Sequence, residues 1–197
     1  MKKFPALLLL MVFTANSFAQ DHEIKLYKSI LTKGDSLSKV KFDKTTIFKA
    51  TKNLDKKHPS QYFDQMAIYL SKEKFNEASF LFYLGQMRYR YYNAANPKYQ
   101  LGNDGALFAS LKAVLGEPIN LYIKNDVNNY IEILKLAKNY FAENDYRFFS
   151  KKKSEQKYRD QIKNMDDLIL SLETDRSTFV EKWIKDRADY KALFKEE

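Results

Sequence analysis

The stretch from Pro59 to Pro97, PSQYFDQMAIYLSKEKFNEASFLFYLGQMRYRYYNAANP, constrains the fold more than any other part of the chain. Tyr62, Phe63, Met66, Ala67, Tyr69 and Leu70 recur at helical spacing, and Ala78, Leu81, Phe82, Gly85, Tyr89 and Tyr92 lie on adjoining ridges of a second helix. A short polar turn joins the two, and Pro97 ends the second. The pattern predicts a helical hairpin that nucleates the core.

The rest of the chain supplies helices to cover it. Ile24, Tyr27, Ile30 and Leu31 suit one helical face, although Ile24 and Leu26 also alternate as in a strand, and residues 34–38 read as a turn. Asp43 is placed to cap a helix over 44–54 with Ile47, Phe48 and Thr51 inward, and Ser60 to cap the first hairpin helix. After the loop NPKYQLGNDG, Asp104 is expected to cap a helix over 106–115 with a stripe of Leu107, Phe108, Leu111 and Leu115. Gly116 is expected to stop it and Pro118 to open a short helix through Tyr122. Asn125 or Asp126 can cap the next helix, where Val127, Tyr130, Ile131, Leu134, Ala137 and Phe141 repeat at three and four. From Ser154, Tyr158, Ile162, Met165, Ile169 and Leu172 make a narrow seam. Thr174 or Ser177 then begins a last helix carrying Phe179, Trp183, Ile184 and Tyr190. The expected architecture is all-α: one helical domain over 20–197, its core about 59–142, with a C-terminal antiparallel helix pair about 154–192.

The first residues, MKKFPALLLLMVFTANSFAQ, place two lysines before an apolar run and small residues at Ser17 and Ala19, the pattern of a secretory leader cut after Ala19. The apolar run is short for a hydrocarbon core of about 30 Å, so a periplasmic or secreted location is expected rather than a membrane anchor. There is no cysteine, so stability must come from packing rather than disulfides. Of the formal charge of +9, Lys2 and Lys3 leave with the leader, which gives +7 for the mature chain. Such a protein can meet anionic lipid, cell-wall polymer or an acidic protein; export makes nucleic acid a poor candidate. The run from Lys151 to Lys153 reads as a solvated loop, with weak anionic membrane contact as its functional alternative.

On a helical wheel, Ser79, Gln86 and Arg90 fall within about 20° of one another with Tyr83 beside them, which predicts a side facing solvent or a polar groove. Arg88 falls opposite, among Leu81, Leu84, Tyr91 and Tyr92. A guanidinium in that company requires an anion, because an unpaired buried charge costs several kcal/mol. Glu77 is about 16 Å along the axis, too far to serve. Asp64, Asp104, Glu117 and Asp126 are the candidates, Asp104 first because its loop follows the helix. Arg88 is then either half of a structural ion pair or a receiver for a ligand's carboxylate or phosphate. The candidate binding residues are Arg88, Arg90, Tyr83, Gln86 and Asp104. Two histidines without cysteine, and no GxSxG, HExxH or phosphate-binding glycine loop, predict neither metal nor cofactor and give little support to catalysis.

Two resemblances carry implications. The turn SKEKFNEA, with Phe75, Glu77 and Ala78 and then Phe82 and Gly85, resembles one unit of the tetratricopeptide and Sel1-like repeats, whose hairpins need neighbours to cover them. NEASFLFYLGQMRYR and ALFASLKAVLGEPIN together resemble a group of exported bacterial helical proteins, which implies fold class and export but no activity. Some small exported helical proteins of this kind resemble immunity factors. The leading expectation is therefore a non-enzymatic, protein-binding module of the envelope, in its most concrete form an immunity protein against a delivered toxin. The alternatives are a carboxylate-dependent hydrolase or lyase acting on cell-wall glycan, and a structural envelope component.

When the full chain is produced in a secreting bacterial host, intact-mass analysis is expected to find a product beginning at Gln20. Retention of residues 1–19 in the purified protein would contradict the leader assignment.

Overall fold

The computed structural model describes residues 24–99 and 103–194, so the leader expected over residues 1–19 lies outside the described residues. Among these residues every regular element is helical. The helices are α1 (residues 24–37), α2 (Lys44–Leu54), α3 (Ser60–Ser71), α4 (Phe75–Ala95), α5 (Asn103–Ile123), α6 (Val127–Glu143), α7 (Glu155–Thr174) and α8 (Arg176–Leu193). The N-terminal segment, ambiguous in sequence, is thus helix, and it continues through Gly34 instead of turning there. Gly34 serves close approach: a Cβ on it would lie 2.4 Å from the Asn125 amide nitrogen.

α3 and α4 form the hairpin, and α4 is the central rod, buried along nearly all of its length from Phe75 to Asn93. A helix enclosed on all sides needs large side chains around its whole circumference, and α4 has them in Phe80, Leu81, Phe82, Leu84, Met87, Tyr89 and Tyr91. α3, α5, α6 and α7 all pack on it. The hairpin turn places Glu73 at φ 55°, a left-handed conformation that side chains other than glycine rarely take. Its carboxylate is tied to α1 by Lys33 Nζ at 2.7 Å and Ser29 Oγ at 2.8 Å, contacts that hold its pKa below the ordinary glutamate value.

Asp43 and Asp126 cap as expected: Asp43 accepts from the Thr46 amide, and Asp126 from the amides of Asn128 and Asn129. Ser60 does not cap α3. It occupies the first helical position, and its amide donates to His58 Nδ1 at 3.3 Å. The two helices expected over 106–122 are one, α5, which starts at Asn103 and includes Pro118. Gly116 lies inside it because a Cβ there would come within 3.0 Å of the Phe82 ring, so the glycine admits a neighbour rather than ending a helix. Pro118 offers no N–H to the Val114 carbonyl. Val114 is 73% exposed, where water can satisfy that group. Leu107, expected inward, faces out at 42% exposure. By length and composition α5 could cross a membrane; here its last turns, with Ile119, Leu121 and Tyr122, are in the core.

α7 runs along α6 in the opposite direction: Tyr158 stacks on Phe141, Asp166 meets Lys138, and Glu173 meets Lys135. α8 does not fold back antiparallel on α7 as expected. Only Asp175 separates the two helices, too short a connection for a helical hairpin. α8 instead carries Trp183 to Tyr130, Asp186 to Lys124, and Tyr190 to Glu117 and Tyr27, closing over the other end of the body. Ile184, expected inward, is exposed.

Gly85 tests the hairpin packing. A Cβ on it would sit 2.8 Å from Tyr62 Cβ, an atom fixed to the α3 backbone. Gly85→Ala is expected to destabilise the fold by about 1–3 kcal/mol in urea titrations followed by circular dichroism, against the usual helix preference for alanine.

Candidate functional site

The predicted site residues separate into one sealed cluster, one half-buried edge and an outer surface. Arg88 is fully buried, and its carboxylate partner is Asp55, with Nη2 3.0 Å from Oδ1. Asp104 and the other acids proposed from the sequence are not its partner. The guanidinium also donates to the Tyr158 hydroxyl at 3.1 Å and the Asn144 carbonyl at 2.7 Å, and the rings of Phe141 and Tyr146 lie 4.7 and 5.1 Å from its carbon. Asp55 accepts from Tyr62 at 2.6 Å and Tyr140 at 2.9 Å. Its carbonyl accepts from the Phe148 amide at 2.8 Å.

Burial alone would weaken the hold of Arg88 on its proton; the Tyr62 and Asp55 oxygens more than reverse this, so the guanidinium is held above its ordinary range. Burial likewise pushes the Tyr62 hydroxyl well up. The cluster is charged, closed and packed with rings, and it presents no open face to a ligand. Arg88 is therefore a structural cation. Sequence reasoning missed Asp55 because LDKKHP reads as a solvated lysine run. One signal was present: an acid at the C-terminal end of α2 opposes the helix dipole, so something in the tertiary structure must compensate.

Asp104 serves the half-buried edge. Its Oδ1 is 3.1 Å from His58 Nε2 and accepts from the Tyr89 hydroxyl at 3.3 Å. The His58 ring meets Tyr89, Tyr92 and Phe148 edge-to-face, and its Nδ1 is 2.9 Å from Ser60 Oγ. Because Nδ1 accepts from the Ser60 amide, the neutral ring carries its proton on Nε2, toward Asp104. The order Ser60, His58, Asp104 is that of a hydrolase triad, but the next two amides, Gln61 and Tyr62, are bonded to the His58 and Pro59 carbonyls. No amide donor of that turn is left for an oxyanion, and the serine and histidine form a local helix-start contact.

The side of α4 expected to face solvent or a polar groove is mostly covered. Ser79, Tyr83 and Gln86 are buried, Tyr83 packs on Tyr130, and burial raises its hydroxyl pKa well above the ordinary tyrosine value. Only Arg90 reaches the surface, where Nη2 donates to Gln86 Oε1 at 2.9 Å. The covering comes from α6 and α7, whose packing a wheel drawn for α4 alone does not contain.

A groove of about 650 Å³ lies between the α1–α2 connection and α6. Lys39, Lys41, Lys44 and Lys135 line it against Asp126 and Glu132; Phe42, Ile133 and Leu136 give apolar wall, and Asn128, Asn129 and Asn139 give amides. Val40, at its edge, is 57% exposed. The hairpin holds this edge in place: buried Asn76 of α4 donates to the Val40 carbonyl at 3.0 Å, and its Oδ1 accepts from Tyr122 and Asn129, each at 2.8 Å. Among the described residues no group of three or more histidines and carboxylates is placed to hold a metal ion.

Comparison with family models, characterised proteins and solved structures gives no match to this chain.

The buried pair gives a sharp test. Arg88→Met and Asp55→Asn are each expected to lose about 3–5 kcal/mol of unfolding free energy, because each strands the opposite charge in the core. The double variant should lose less than the sum in the same urea titrations, the sign of direct coupling.

Proposed function

We propose that this chain is a non-enzymatic, protein-binding helical module of the bacterial envelope, most concretely an immunity protein that occupies a delivered toxin. The groove between residues 38–44 and α6 carries the reading. Its four lysines outnumber its two carboxylates, and Glu173 outside the lining holds Lys135 at 2.7 Å. Lys39, Lys41 and Lys44 thus ring an apolar strip of Val40, Phe42 and Leu136. An acidic partner segment with one or two large apolar side chains complements that surface by charge at the rim and burial at the centre. A groove of this volume, anchored through Asn76, needs little reordering on binding, which lowers the cost of association.

The proposal places recognition on the groove rather than on Arg88, which is committed to Asp55. The carboxylate-dependent hydrolase alternative calls for two acids facing each other across a cleft, whereas the Asp126 carboxylate at the groove is engaged as the α6 cap by the amides of Asn128 and Asn129. A photoreactive residue in place of Val40, introduced in the native envelope, is expected to yield one saturable crosslinked protein. The same residue in place of the exposed Leu170 on α7 should not. Loss of the product on changing Lys39 and Lys41 to Glu would assign it to the groove. A product that survives those changes, or equal crosslinking from both positions, would refute the assignment.

A further inference from the structure

A second, smaller concavity of about 390 Å³ lies between α4, α5 and α7 and shares no residue with the groove. Its wall includes Arg90 and Asn93 from α4, Phe108 and Lys112 from α5, and Gln161 and Asn164 from α7. Among the described residues no carboxylate lines it. The Arg90 guanidinium donates to a side-chain amide oxygen, not to a carboxylate, and the Lys112 ammonium stands 4.8 Å over the Phe108 ring. Two cations thus share a pocket whose described wall holds no anion. Asn93 is more than nine-tenths buried, and its Oδ1 has no donor among the described residues. A buried acceptor left open in a polar wall is uncommon in folded proteins. Gln161, also more than nine-tenths buried, adds a second amide.

We propose that this pocket binds a small hydroxylated carboxylate of about the size of one sugar ring. The carboxylate meets Arg90 in the two-pronged geometry a guanidinium favours, with Lys112 adding charge. A ligand hydroxyl supplies the donor that Asn93 Oδ1 lacks, and the amides of Gln161 and Asn164 take the remaining hydroxyls. The volume is at the lower end for small-molecule sites, which excludes long chains. Charge alone does not account for the wall: amide NH2 groups would serve a bare anion as well, but the open Asn93 Oδ1 is an acceptor and calls for a ligand donor such as a hydroxyl.

Isothermal titration of the mature protein with D-glucuronate, D-galacturonate and D-gluconate tests this. At least one is expected to bind with Kd of about 1 mM or tighter, and D-glucose, acetate and inorganic phosphate at least about tenfold more weakly. Arg90→Gln, a change at an exposed position, should weaken binding about tenfold or more with the helical signal unchanged. Ala109→Phe should abolish it by filling the pocket from α5. No binding by any of the three sugar acids up to about 10 mM, binding of phosphate as tight as theirs, or binding that survives both variants would each overturn the proposal. The test is independent of the groove: Arg90→Gln should leave crosslinking from Val40 unchanged.

Discussion

The Arg88–Asp55 pair is the constraint on which the arrangement of helices depends. One carboxylate accepts hydrogen bonds from α3 through Tyr62 and from α6 through Tyr140, and pairs with the Arg88 guanidinium of α4. The guanidinium reaches on to α7 through Tyr158 and to the turn after α6 through Asn144. With α2, whose C-terminal end carries Asp55, five helices are thereby fixed at one point. Apolar packing is tolerant of small slides; a desolvated charge pair is not, because each displaced hydrogen bond leaves a polar atom uncompensated. The pair therefore selects one docking of the helices from the several that an aromatic-rich interior could accommodate. This is a statement about uniqueness more than about net stability, since desolvation offsets much of the attraction.

Much of this was legible from local pattern. The hairpin, the Asp43 and Asp126 caps, the stripe of α6 and the seam of α7 all follow from spacing within one segment, and the structure has them. What escaped is what depends on another segment. Gly34 and Gly116 look like stop signals in sequence, yet each lies inside a helix, at a point where a neighbour's side chain comes close. Tyr83 and Gln86 occupy the polar sector of α4, and α6 and α7 bury it. Asp55 was hidden among lysines, and Asp104, chosen by proximity in sequence, went to His58 instead. The shared cause is that helical periodicity reports which face is apolar but not which helix will cover it.

Core and surface divide the chemistry between them. Inside, cation, carboxylate and tyrosine hydroxyls are paired with one another, and burial closes them off from the surface. Outside, lysines and amides gather where helices diverge, at the α1–α2 connection against α6 and at the junction of α4, α5 and α7. Asn76 joins the two regimes, since its amide is buried in the core while its bonds fix the rim residue Val40. A change deep in α4 can thus move the rim of the groove from within the core.

Pro118 gives α5 two unequal halves. Beyond it Ile119, Leu121, Tyr122 and Ile123 are locked into the interior; before it Phe108 and Gly116 alone are well covered, and Leu107 and Val114 face outward. The missing amide removes one rung of the ladder at the boundary, so the leading half can loosen while the trailing half stays seated. Deformation of the whole molecule under thermal or mechanical stress would accordingly begin in this arm, with the remainder of the bundle still assembled.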